Sequence, residues 1–135
     1  MEEIKLTKKS ILDNFENYEG FIKYNNIHIE SLEKDEAVLY ANVDKNSMNA
    51  NEIVHGGLIF GLADTAMGTL CFLTGKRAVT IDSTINYLKP CQGNIIKCIA
   101  TPIKVGKTIA VYKAEVYNSK NELSATVTAN YMFLK

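Results

Sequence analysis

Asp64 is the only charged residue in the stretch 57–75, and that stretch follows directly on His55-Gly56. A carboxylate in an apolar helix is costly unless it is paired, hydrogen-bonded or put to chemical use. On helical spacing Gly57, Gly61, Asp64 and Gly68 share one face. Glycine inside a helix costs roughly 0.5–1 kcal/mol relative to alanine, so this face gives up stability to keep room around a carboxylate. Two readings of that room stand side by side: space for a ligand at a catalytic Asp64, or close packing against a second subunit with Asp64 bonded to a backbone amide.

The glycine pair Gly56-Gly57 lets the chain turn tightly and lets a ligand approach the backbone. The free N–H groups of a helix start, at the positive end of its dipole, can stabilise a developing oxyanion. From Gly56 to Asp64 is about two turns, or roughly 12 Å of rise. That is too far for both groups to act on one carbonyl within one straight helix, so a bent geometry or a site shared between two subunits is required. His55 is a rival general base. No serine or cysteine beside it is arranged as a nucleophile, and its alternative is a local hydrogen bond that shapes the loop.

The elements that must hold these residues follow from periodicity. Ile11, Leu12, Phe15 and Tyr18 predict an amphipathic helix over about 7–18 with Thr7 as its cap. Residues 27–32 and 37–43 predict a hairpin turning at 33–36. An asparagine-rich polar loop over 44–52 leads to the apolar helix, predicted over 57–74 and closed by Gly75 and the basic pair Lys76-Arg77. Ile59, Leu62, Ala66, Leu70 and Leu73 form its bulky stripe. Four strands are expected over 78–88, 95–105, 108–117 and 123–134, joined by short breaks as an antiparallel meander. A one-faced antiparallel sheet needs a cover, and the apolar helix is the element able to supply it. The fold class is α+β, a single domain over 1–135 with its core over about 25–134.

Composition narrows the function. The 135 residues carry 15 basic and 15 acidic side chains and are 47% hydrophobic, which fits a folded globular domain and gives no basic footprint for nucleic acid. The polar start lacks the apolar run of a signal peptide, and the apolar helix, interrupted by Asp64 and two glycines, reads as buried rather than membrane-spanning. Cys71, Cys91 and Cys98 show no zinc or paired-thiol spacing, and with only His28 and His55 no metal cluster is expected. Reduced thiols in a cytoplasmic protein, with neither metal nor membrane, are the expectation.

Asn49, His55-Gly56-Gly57 and Asp64 within Leu-Ala-Asp-Thr-Ala resemble the hotdog-fold acyl-CoA thioesterases of the PaaI (phenylacetic acid degradation) type. The likeness runs on through residues 81–90 and the turn 104–107, and covers about 25–134. It implies a curved antiparallel sheet wrapped around one long helix, a homodimer with a continuous sheet that pairs into a homotetramer, and hydrolysis of acyl-CoA without metal or organic cofactor. Carried over by position, Asp64 is general base or nucleophile toward the thioester carbonyl, and the Gly56 N–H of the partner polarises it. Asn49 orients water or carbonyl, and Thr80 helps to hold the water. Gly57, Phe60, Met67 and Tyr87 are candidates to line the substrate site, and Lys89, Lys107 and Arg77 to meet the CoA phosphates. The rival readings are an enoyl-thioester hydratase or dehydratase, and a non-catalytic acyl-CoA-binding or sensing protein.

Overall fold

The computed structural model describes residues 6–135. Helix α1 (Lys8–Phe15) opens on a capping box in which Thr7 Oγ1 accepts the Ser10 N–H at 3.1 Å and Ser10 Oγ accepts the Thr7 N–H at 2.9 Å. Its apolar side is anchored by Ile11 and Phe15, each 3% exposed. The helix ends sooner than the spacing predicted. Gly20, at φ 90°, then turns the chain into a four-residue helix α2 (Phe21–Tyr24), which periodicity had not signalled.

Strands β1 (Ile27–Glu33) and β2 (Glu36–Asn42) form the expected hairpin, tightened to the two residues Lys34 and Asp35. Asp44 caps a single 3-10 turn at Lys45–Ser47. The apolar helix is α3 (Gly56–Phe72), within two residues of its predicted bounds. After it come β3 (Ala78–Tyr87), β4 (Ile95–Val105), β5 (Ile109–Tyr117) and β6 (Leu123–Phe133).

All six strands make one antiparallel sheet in the order β1-β2-β4-β5-β6-β3, wrapped on α3. The predicted stripe faces it, with Ile59, Leu62, Ala66 and Leu70 buried and Leu73 partly so. Many inward positions of the sheet are small, including Ala37, Ala41, Ala100, Ala110, Ala114, Ala125 and Ala129, all essentially inaccessible. Alternation with Leu39, Tyr112, Val116 and Val127 lets the strands close on the helix.

The meander expectation is corrected in one respect. Strands β4, β5 and β6 do run as a meander, but β3 pairs with β6 at the far edge and not with β4. Residues 88–94 have the length of a hairpin loop yet cross the end of the sheet. Seven residues reach up to about 24 Å, whereas three strand spacings need only about 15 Å, so the short break permits either path. Hydrogen bonds from Leu88 N to Ser124 O, Val54 N to Cys91 O and Val43 N to Asn94 O pin the crossing.

Candidate active site

The helix start is built by its own cap. His55 lies at φ −61°, ψ 133°, and its Nδ1 accepts the Gly57 N–H at 2.8 Å. This is a local hydrogen bond of the loop-shaping kind, made through Nδ1. The cap takes up one of the open amides of the helix start and leaves the Gly56 N–H without an acceptor among the described residues. Tyr87, the last residue of β3, donates its OH to Gly56 O at 2.8 Å. Its ring lies so close that a Cβ at position 56 would meet it at 3.1–3.3 Å. Asn49 Oδ1 accepts the N–H groups of Asn51 (2.8 Å) and Ile53 (3.4 Å), fixing the loop before the helix. Its amide group is the part left to meet a ligand. Asn49, His55, Gly56, Gly57, Tyr87 and Lys89 together border a cleft of about 580 Å³.

Asp64 lies on another side, two turns along α3, and is half-buried rather than enclosed. Its Oδ1 accepts two hydrogen bonds, from Thr80 Oγ at 3.0 Å and from Tyr131 OH at 2.8 Å. The Tyr131 OH also lies 3.1 Å from the Asp64 carbonyl oxygen. Thr80 and Tyr131 are directly paired across β3 and β6, next to a register shift between Thr80 and Asp82. Such a bulge re-aims side chains, and here Thr80 points at the helix while Ile81 is turned out. Burial, and then the Asp64 charge, push the Tyr131 phenol above its ordinary range, so it stays a proton donor. Asp64, Thr80 and Tyr131 border a second cavity of about 330 Å³.

Sequence reasoning missed Tyr131. The signal was available: it stands at an inward position of β6, a buried tyrosine needs a partner for its OH, and Asp64 is the one charged side chain on the facing helix. The room beside Asp64 is also filled differently from expectation. The Phe21 ring of this same chain covers Gly61, with its tip 2.4 Å from where a Cβ would be, and a Cβ at Gly68 would lie 3.9 Å from Tyr131.

The other candidates divide. Met67 is fully buried in the core, so it supports the helix instead of facing a ligand, and Phe60 is half-buried and borders neither cavity. Lys89 edges the Gly56 cleft but is paired with Glu122, whose carboxyl it holds below the usual range together with Asn118. Arg77 and Lys107 lie at the opposite end of the sheet, where Leu134 N bonds Arg77 O and Phe133 N bonds Thr108 O. Among the described residues, no group of side chains has the makings of a metal site.

The Thioesterase superfamily family model matches residues 51–125, which is more than half the chain and includes Gly56, Asp64, Thr80 and Tyr87. The chain belongs to the thioesterase superfamily. It is a PaaI-type hotdog protein: over 100 residues it is 33% identical to the Escherichia coli acyl-coenzyme A thioesterase PaaI, covering 73% of this chain and 71% of that one. The E. coli PaaI structure superposes with a TM-score of 0.85 at 27% identity, over 91% of this chain and 90% of that chain. A Streptococcus mutans structure bound to acetyl CoA matches at 29% identity and a TM-score of 0.79, over 87% of this chain and 93% of that chain. A Haemophilus influenzae relative is 33% identical over 84 residues, and the match spans 60% of this superfamily member and 61% of the relative, less than two thirds of its length.

Proposed function

We propose that this protein hydrolyses acyl-CoA thioesters at sites shared between two copies, with Asp64 from one chain and the Gly56 N–H and Asn49 from the other. The observation that carries this reading is the division of the candidate residues between two cavities on one helix. Among the described residues, neither cavity has both a carboxylate and an open helix-start amide in its lining. β3 borders both, supplying Thr80 to one and Tyr87 to the other. It is also an edge strand, with Val79 and Ile81 each 48% exposed. Antiparallel pairing of two β3 strands near their middles would lay Thr80 of one copy close to Tyr87 of the other and bring the two half-sites together. An apolar row on the outer face, Ile109-Met132-Val79 in register across β5, β6 and β3, supports further association into a dimer of dimers.

In this arrangement two hydroxyls hold Asp64 Oδ1 and leave Oδ2 to face the substrate. As a general base it takes a proton from water while the water oxygen bonds to the thioester carbon. As a nucleophile it forms an anhydride that water then opens. In either case the Gly56 N–H of the partner subunit receives the developing negative charge; CoA departs as the thiolate and takes its proton from Asp64 in the base route and from water in the anhydride route. The S. mutans structure with acetyl CoA and the name of E. coli PaaI support the CoA thioester as ligand. No helix among the described residues is long and apolar enough to cross a membrane, and three buried free thiols fit a reducing cytoplasmic setting.

The test is thiol release from acyl-CoAs running from acetyl to long-chain and aromatic. Asp64→Asn keeps the shape and an oxygen for both hydroxyls, and is expected to lower kcat by about 10²–10⁴ without loss of fold. Full activity in that variant excludes Asp64. Consumption of an enoyl thioester without thiol release replaces hydrolysis by hydration, and binding without turnover replaces it by sensing. Single turnover in ¹⁸O-water tests for the anhydride route, since label enters Asp64 only where water opens an anhydride at the Asp64 carboxyl carbon.

A further inference from the structure

The Asp64 cavity has a wall that comes from outside the stretch matched by the family model. Ile11 and Phe15 of α1, Tyr18 of the connection and Ile22 of α2 face Phe72 of α3 and Val79 of β3 across it. Three attachments hold this N-terminal segment in place. Lys8 pairs with Glu33 at 3.0 Å, His28 Nδ1 lies 3.0 Å from the Glu16 carboxylate, and the Phe21 ring seats in the slot left by Gly61, one turn before Asp64 on α3. Among the described residues, Asp64 is the only ionisable acid or base bordering the cavity apart from the phenols of Tyr18 and Tyr131.

We propose that α1 and α2 form the specificity wall for the acyl group, which runs from the thioester at Asp64 into the space between Phe15 and Ile22 on one side and Phe72 and Val79 on the other. This rests on the acyl-CoA reading above. The class it selects is an uncharged, apolar acyl group of moderate size. A volume of about 330 Å³ is near the lower end of the roughly 300–1,000 Å³ of small-molecule pockets, so a medium alkyl chain or a single aryl ring fits. A second carboxylate on the acyl group would be desolvated near Asp64 with no cation among the described lining residues to pair it.

S-alkyl-CoA thioethers separate this wall from hydrolysis, because they bind but cannot be cleaved. Calorimetry on the full-length protein would compare methyl, butyl, hexyl, octyl and dodecyl thioethers with an S-carboxypropyl one. For wild type, affinity is expected to rise up to about fourfold per buried methylene and then level off, and the carboxypropyl compound should gain nothing over methyl. Ile22→Trp fills the cavity and should flatten the length dependence while leaving the methyl compound within about threefold. Phe21→Ala, at a ring that is 52% exposed and so safe for folding, releases the latch and should move the plateau to longer chains. If both variants shift every thioether equally, or none, the wall is wrong, whatever thiol release reports. If the length pattern holds but acyl-CoAs are not cleaved, hydrolysis fails and the wall stands.

Discussion

Two hydroxyls converge on one oxygen of Asp64, and each is expected to act differently when removed. Tyr131→Phe deletes the 2.8 Å bond from the more buried donor and should cost about 1 kcal/mol of stability. It should also lower kcat about tenfold with little change in KM, because the carboxylate loses its orientation and not its chemistry. A parallel rise in KM would place Tyr131 against the substrate instead. The pH dependence has a definite sign. Folding raises the Tyr131 pKa, through burial first and the Asp64 charge second, so the folded chain keeps a proton that the unfolded chain releases above about pH 10. That part of the stability is complete below pH 10 and falls as pH rises. Urea midpoints measured from pH 9 to 11 should therefore decline less steeply in Tyr131→Phe than in wild type. Asp64 and Thr80 were legible in the sequence, one as an isolated charge and the other by resemblance. Tyr131 was not, because its role depends on strand register, and register is set by pairing partners that spacing alone does not reveal.

At the scale of elements, α3 combines a histidine cap, a buried stripe and a glycine that receives a ring. Gly61→Ala raises helix propensity by up to about 1 kcal/mol, and its Cβ would lie 2.4 Å from the tip of Phe21. The ring is half exposed and can swing outward, so the unfolding midpoint should hold or rise slightly while trypsin cuts faster after Lys23 in α2. A held or raised midpoint with unchanged cleavage would mean that the ring does not latch the segment. The sequence disclosed α1, α3 and the first hairpin because each carries its own period and its own cap or turn. It did not disclose α2, four residues long, nor the destination of β3. A break of hairpin length states how far the chain can travel and not where it goes.

For the whole molecule, a shared site makes a prediction that a self-contained one does not. Gly56 is the first residue of α3, where proline is tolerated and lacks the N–H, and His55 at ψ 133° already has the backbone that must precede a proline. Gly56→Pro should thus delete the proposed oxyanion donor, at the cost of a small shift of the Tyr87 ring. Asp64→Asn and Gly56→Pro chains should each be nearly inactive alone. Co-expressed and free to pair at random, half of the dimers would be mixed, each with one intact site, and about a quarter of wild-type activity should return. A mixture as inactive as its parents would mean that Asp64 and Gly56 act within one chain.

The crossing of residues 88–94 also sets an order in time. A ribosome delivers Thr80 16 residues after Asp64, but Tyr131 only 67 residues after it. β3, made third, has no strand neighbour among the described residues until β6, made last, arrives. At roughly 5–20 residues per second, the growing chain therefore spends seconds with a bare strand edge and an Asp64 that has not yet met its second donor. The cluster on Oδ1 is completed last, so a nascent chain acquires its carboxylate geometry only once the final strand has closed the sheet.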